Sequence, residues 1–379
     1  MPDGYYVGLI SGTSVDAMDA VLVRFNPHAR GGVDVVATHS APPPAGLRDA
    51  LLAANGPDHR LRFAEYGRLD QAVAQWAAAA ARAVCDKASV ALEDLAGIGS
   101  HGQTVWHAPD DTPGFSLQLG QGARIAAETN ATVVSDFRSM DLALGGQGAP
   151  LVCACHGALF GQAEQARAVV NIGGIANITQ LAPGADRDVL KIRGFDTGPG
   201  NGLMDEWIAR HRDAAFDADG AWAATGRIDR PLLDALLAEP YFARAAPKST
   251  GRDWFNLAWL DAHLDRLTHE VTPVDVQTTL AELTAITIAR AVHDGESRVD
   301  TVYLCGGGAH NAYLAARIAA HVAPADVTVT DDLGVAGDWL EAIAFAWLAR
   351  ERLAGRPGNA PYVTGAARPA LLGAVYSAG

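Results

Sequence analysis

Twice in this chain an apolar, β-branched run breaks at a glycine-centred turn and resumes as a second apolar run, a pattern that restricts the fold more than any other feature. The first instance spans residues 5–25, where YYVGLI and AVLVRF flank SGTSVDAMD, and the second spans residues 168–181, AVVNIGGIANITQL. Each reads as a β-hairpin with glycine at its tip. Recurrence at mid-chain predicts two lobes of related topology, each giving one glycine loop to a shared cleft. The length of 379 residues agrees, because a single core stops growing at roughly 250–300 residues. The expected division is an N-terminal lobe over residues 1–135, to which residues 355–379 return, and a second lobe over residues 136–354.

Other elements fall around these hairpins. Residues 63–86 are alanine-rich with spaced Tyr66, Leu69, Val73, Trp76 and Val84, which predicts a long amphipathic helix packed on a sheet. Residues 95–100 and 132–135 read as short strands ending in polar loops, HGQT and DFRS. A third glycine cluster, Gly306, Gly307 and Gly308, follows a strand at 301–305 and precedes a helix at 312–322. With 40 glycines in the chain, any one cluster is accounted for as ordinary turn geometry. Three clusters, each after an apolar strand and each beside Ser, Thr or Asn, favour backbone nests for phosphate.

Charge narrows the ligands. The net charge of −14 and the absence of a basic tract argue against nucleic acid, so an anionic ligand must be held by a local site of backbone N–H groups, a few arginines or a metal ion. That points to a nucleotide–magnesium complex. No lysine stands in a G-x-x-x-x-G-K-[ST] loop, so a Walker-type site is absent. Half the residues, 49%, are hydrophobic, enough for a sizeable core, yet no stretch reaches the roughly 18 apolar residues of a membrane span. The N-terminus lacks a secretion signal, and four irregularly spaced cysteines do not form a disulfide framework, so a cytoplasmic protein is expected. Cys153, Cys155 and His156 lack a second ligand pair at zinc spacing and read as buried small residues.

Several residues are suited to chemistry. Gly12, Thr13 and Ser14 offer N–H donors and hydroxyls to phosphate oxygens, and Asp16 and Asp19 suit either a hydrated Mg²⁺ or a solvated cap. In GFDTGPGNGLMDEW, a Gly/Pro-stiffened loop places Asp196 ahead of a helix. Phosphoryl transfer needs positioning, charge neutralisation and one base, and Asp196 is the candidate base; its alternative role is bonding the turn. Glu341, in the first turn of a helix, suits the helix dipole or a substrate contact. His101 and Arg138, in polar loops at strand ends, suit ligand binding or a structural pairing equally.

Together these motifs resemble the anhydro-N-acetylmuramic acid kinases of the sugar kinase, heat-shock chaperone ATPase and actin superfamily. The matching blocks run nearly end to end: GLISGTSVDAMD, SHGQTVWHAP, SDFRSMDLALGGQGAPL, NIGGIAN, GFDTGPGN, PKSTGRDWFN, CGGGAHN and EAIAFAWLA. The resemblance implies an α/β, two-lobed sugar kinase/actin-like ATPase fold, with mixed sheets flanked by helices and a central nucleotide cleft. ATP and Mg²⁺ are the implied cofactors. The nucleotide-binding residues are then Gly12, Thr13, Ser14, Val15, Asp16, Ala17, Met18, Asp19, Asn171, Gly173, Gly174, Asn177, Gly306, Gly307, Gly308 and Asn311. Asp16 meets the metal through water, Asp196 is the base, and His101, Arg138 and Glu341 contact the amino sugar. A homodimer is expected. The implied reaction opens a 1,6-anhydro bridge with water and phosphorylates the freed O6. The chain departs from the family pattern at Ala17, where glycine is expected, and at Cys153 and Cys155, where Pro-Ala-Phe follows GAPLV.

Two rival functions fit the phosphate loops. One is a simple hexose or N-acetylhexosamine kinase, which differs only in its sugar pocket. The other is a non-catalytic nucleotide switch; its chaperone form would need a peptide-binding domain for which two lobes leave no residues.

Overall fold

The computed structural model describes residues 4–12, 14–29, 31–55, 61–186, 188–251, 254–295 and 297–378. The chain divides into two compact units, one comprising Met1–Leu159 with Trp339–Gly379 and the other Phe160–Asp338. Each is built on its own sheet.

In the first unit, β1 (Tyr5–Ser11), β2 (Met18–Phe25) and β3 (Val33–Ala41) form an antiparallel meander. β4 (Leu95–Ser100) then runs parallel to β1, while β5 (Gln103–Ala108) and β6 (Phe115–Leu119) form a separate hairpin. β7 (Val133–Ser135) runs parallel to β4, and the C-terminal strand Ala374–Tyr376 pairs antiparallel with β7. Alternation along β1 sends Val7 and Leu9 into the core with Val73, Trp76, Ala77 and Val84 of the Phe63–Ala88 helix. Gly8 therefore faces the other way. There the Leu340–Leu353 helix lies so close that a Cβ on Gly8 would overlap the Ala342 carbonyl oxygen, and one on Gly99 the Phe345 carbonyl oxygen. Only glycine lets the helix backbone rest on the strands.

The second unit repeats the plan. β8 (Arg167–Ile172), β9 (Ile175–Leu181) and β10 (Ile192–Pro199) form an antiparallel meander, and β11 (Thr301–Cys305) and β12 (Asp326–Val329) add parallel strands beyond β8. In both units the first strand pairs antiparallel with the second and parallel with the fourth element of the series. The Pro273–His293 helix supplies much of this core through Val276, Leu280, Leu283 and Ile288, and Thr272 caps it by accepting from the Asp275 N–H.

The units part at 159/160 and 338/339, whereas sequence pattern places the boundaries at 135/136 and 354/355. Two buried connections explain the difference. The Leu340–Leu353 helix belongs to the first unit through its contact at Gly8 and Gly99. The fully buried Asp141 accepts hydrogen bonds from the Gly148 N–H, Asn359 Nδ2 and Thr364 Oγ1, each at 2.8 Å, and so ties residues beyond 135 to the C-terminal segment. A buried carboxylate is stable only with such partners, and breaking the set would cost several kcal/mol, on the order of 3–5.

Candidate active site

In the second unit, the carboxyl ends of β8 and β11 converge with the end of β10. Register places Cys305, Asn171, Asn177 and Asp196 side by side across β11, β8, β9 and β10. Directly paired residues share a sheet face, so the asparagines expected at nucleotide and the aspartate expected as base stand in one row.

Asp196 is a strand residue, not a loop residue as the sequence suggests. Asp196 still pairs with Asn177, and the register slips just after it, leaving Thr197 unpaired in a bulge before Gly198. One segment then holds Asp196 at three points. The Asp196 N–H donates to the Lys248 carbonyl at 3.1 Å, Tyr241 Oη donates to the Asp196 carbonyl at 2.6 Å, and the Thr250 N–H donates to Asp196 Oδ2 at 3.0 Å. Burial raises the carboxyl to about 6, with the Thr250 N–H pulling the other way. A base with a pKa near neutrality is ionised at working pH yet still takes a proton readily. Sequence reasoning reaches Lys248 and Thr250 only as part of a matching block and misses Tyr241. Their signal is a Pro-Lys-Ser-Thr-Gly turn following Tyr241 and Phe242.

Gly173 and Gly174 form the tip of the β8–β9 hairpin, and their carbonyls accept the N–H groups of Asn201, Gly200 and Gly202 at 2.7, 3.0 and 3.1 Å. The start of the Gly202–Arg212 helix is therefore docked on the hairpin. Those N–H groups are committed to protein, and a phosphate at this hairpin would meet the N–H groups of the tip itself. Gly306 has φ 74, and a Cβ there would overlap Asn171 Oδ1, so both conformation and space demand glycine. Gly308 packs on Ile172 and Asn201, while Gly307 is more open. Asn311 caps the Ala312–Val322 helix, its Oδ1 accepting from the Leu314 N–H at 2.9 Å.

In the first unit the equivalent strand ends carry the other expected residues. Thr13 lies outside the described residues. Gly12 and Ser14 are exposed, Ala17 is half-buried, and Val15 and Met18 are wholly buried in the core. Only the backbone of Val15 or Met18 can therefore meet a nucleotide. Val15 adopts φ 55, a strained conformation for a β-branched residue, and its N–H donates to the Gly12 carbonyl at 3.1 Å. Strain of roughly 1–3 kcal/mol is offset by burying the valine side chain, worth about 1.5–3 kcal/mol. Asp16 is exposed and 3.2 Å from Arg48, and Asp19 accepts from Ser40 Oγ at 2.7 Å.

Gln103, fully buried, donates through Nε2 to the Gly12 carbonyl at 3.2 Å and braces the turn. Its Oε1, with Ser11 Oγ and Ser100 Oγ, is buried without a hydrogen-bond partner among the described residues. Such atoms at strand ends mark places where a ligand or water completes the bonding. Sequence reasoning points to the HGQT loop without singling out Gln103.

His101 and Arg138 are brought together. His101 Nδ1 donates to the Gly102 carbonyl at 3.0 Å, and its Nε2 accepts from Arg138 Nη2 at 2.9 Å. Burial and the guanidinium hold the imidazole down at about 3, so it stays neutral. Both ring nitrogens are used within the protein, making His101 the orienter of Arg138, which also donates to the Gly148 carbonyl at 2.9 Å. Glu341 sits in the first turn of its helix and keeps contact with solvent. The surrounding protein pushes its pKa up, Arg138 draws it down and Asp19 raises it further.

Among the described residues no cluster of three or more His, Cys, Asp or Glu side chains could hold a metal, and no helix is long and apolar enough to cross a membrane. All four cysteines are buried, and among the described residues none is in a disulfide.

The repeated sheet, with glycine turns and polar side chains at matching strand ends, defines a mixed α/β protein of two units. The chain belongs to the anhydro-N-acetylmuramic acid kinase family, whose model matches residues 4–378. Solved structures resemble it distantly. The activator of the 2-hydroxyisocaproyl-CoA dehydratase from Clostridium difficile with bound ADPNP is 14% identical, with 93% of this chain and 96% of that one covered and a TM-score of 0.48. A ROK family glucokinase from Streptomyces griseus in complex with glucose and AMPPNP is 13% identical, with 92% and 100% covered and a TM-score of 0.39.

Proposed function

We propose that this protein is an ATP-dependent kinase that opens 1,6-anhydro-N-acetylmuramic acid with water and phosphorylates O6. The product would be N-acetylmuramic acid 6-phosphate. Family membership supports the substrate class. The observation that carries the chemistry is Asp196, whose Oδ2 is anchored by Thr250 while Oδ1 accepts no hydrogen bond among the described residues, and whose pKa is raised to about 6.

Asp196 takes a proton from water as the water oxygen bonds to C1 of the sugar. The C1–O6 bond breaks, and O6 attacks the γ-phosphorus in line; the bond to the β,γ-bridging oxygen breaks, and ADP leaves with that electron pair. Water, sugar and ATP thus give phosphosugar, ADP and a proton. The glycine turns at Gly12, Gly173–Gly174 and Gly306–Gly308 would cradle phosphates through backbone N–H groups, with Ser14, Asn171, Asn177 and the Asn311 amide nearby. Arg138, set by His101, and Glu341 would contact the sugar. Mg²⁺ bound to the nucleotide would neutralise phosphate charge. Asp16 and Asp19 would suit an ion that keeps most of its ligands as waters and phosphate oxygens. The setting would be cytoplasmic recovery of cell-wall sugars by a homodimer.

Turnover in ¹⁸O-water tests the reaction. Label at C1 and none in the new phosphate group is expected. Unlabelled phosphosugar would instead assign a simple hexosamine kinase, and labelled free phosphate without sugar product would assign a nucleotide switch.

A further inference from the structure

A cavity of about 470 Å³ opens in the second unit beside β10, lined by Arg193, Arg244, Lys248 and Arg290, with Asp294 the one acid among the described lining residues. Phe195, the residue before Asp196, also lines it, so strand alternation puts the cavity on the face of β10 away from the Asp196 carboxylate. Four cations gather here in a chain of net charge −14. Among the described residues none of the four lies within salt-bridge distance of a carboxylate, although acids outnumber bases 43 to 29. Like charges repel, and four cations around one described acid make a field that favours an anion in the cavity.

How the cations are held supports a built site. Lys248 Nζ reaches the Tyr241 and Phe242 carbonyls at 3.4 and 3.3 Å and lies over the Tyr241 ring. The Arg244 guanidinium stacks on Trp254, and Arg193 donates to the Asp294 carbonyl at 3.3 Å. These contacts hold the heads of Lys248, Arg244 and Arg193 through carbonyls and rings, with no carboxylate within salt-bridge distance among the described residues. Desolvation lowers the Lys248 pKa, Asp294 raises it and Arg244 lowers it.

We propose that this cavity is a second anion site, separate from the phosphate turns, that takes a phosphate-bearing small molecule. Arg193 and Arg290 would grip the phosphate oxygens while Phe195 and Phe242 contact the less polar part of the ligand. The site is mechanically linked to the base, since the Lys248 carbonyl holds the Asp196 N–H.

Calorimetric titration tests the proposal, using protein saturated with a non-hydrolysable ATP analogue, at constant ionic strength, with inorganic phosphate in one arm and glucose 6-phosphate in the other. Binding in either arm is expected, and tighter binding in one tells free phosphate from a phosphate ester. The double variant Arg193→Gln, Arg290→Gln should weaken it about tenfold or more, because charge-assisted bonds to phosphate are the strong ones. Arg290→Lys, which keeps the charge, should retain most of it, and unchanged thermal melting certifies the fold of both. No binding in either arm, binding abolished by the ATP analogue, or equal affinity of the double variant would overturn the proposal. Because ATP turnover is not measured, failure here leaves the kinase reading untouched, and failure of that reading leaves this one.

Discussion

Replacing Asp196 with asparagine should destroy activity and stabilise the protein, and the two effects have one cause. The carboxyl is raised from 3.8 to about 6 by burial. A tenfold change in a protonation equilibrium corresponds to about 1.4 kcal/mol, so ionising Asp196 in the folded state costs at most about 3 kcal/mol, and its partial exposure to solvent reduces this to about 1. The sign follows from linkage. Below the unfolded value of 3.8 both states are protonated and the cost is nil; as pH rises toward the folded value of about 6 the unfolded chain ionises first, and above it the full cost is present. Asparagine carries no charge, and its Oδ1 still accepts the Thr250 N–H. Calorimetric melting of Asp196→Asn and the native protein should therefore coincide near pH 4 and diverge between about pH 4 and 6, with the variant more stable above. Turnover, read as ADP release with the anhydro sugar, should fall at least ~10²-fold, the usual size of a general-base contribution. Retained turnover, or a stability difference constant with pH, would refute the argument that burial tunes this group as a base.

Two further substitutions probe the surroundings of the base and the nucleotide turns. Tyr241→Phe removes the 2.6 Å hydrogen bond to the Asp196 carbonyl and should destabilise the protein by about 1–3 kcal/mol, because the buried carbonyl loses its donor; denaturant melting measures it, and no change would detach Tyr241 from the site. Gly306→Ala puts a Cβ where φ is 74 and where Asn171 Oδ1 stands, so it should weaken ATP binding in titration far more than sugar binding, and equal losses would remove this turn from the nucleotide site.

Much of this architecture is legible in the order of residues because it depends on local pattern. The two glycine-tipped hairpins, the long alanine-rich helix and the strand–glycine–helix at 301–322 follow from alternation and 3.6-residue spacing, which a single sequence displays directly. Asp196 is identifiable as a candidate for the same reason. Its properties are not, since they are set by Tyr241, Lys248 and Thr250, which lie about 50 residues away along the chain and come to it only in the folded protein. The unit boundaries likewise escape, because they depend on which backbone can approach Gly8 and Gly99 and on the partners of buried Asp141. His101 and Arg138 stand as equal options in sequence, and tertiary structure decides that the histidine is neutral and spends both ring nitrogens inside the protein. Pattern along a chain reports which face of an element seeks the core; hydrogen-bond partners, burial and therefore protonation state belong to pairs of distant residues, and only the folded chain brings those pairs together.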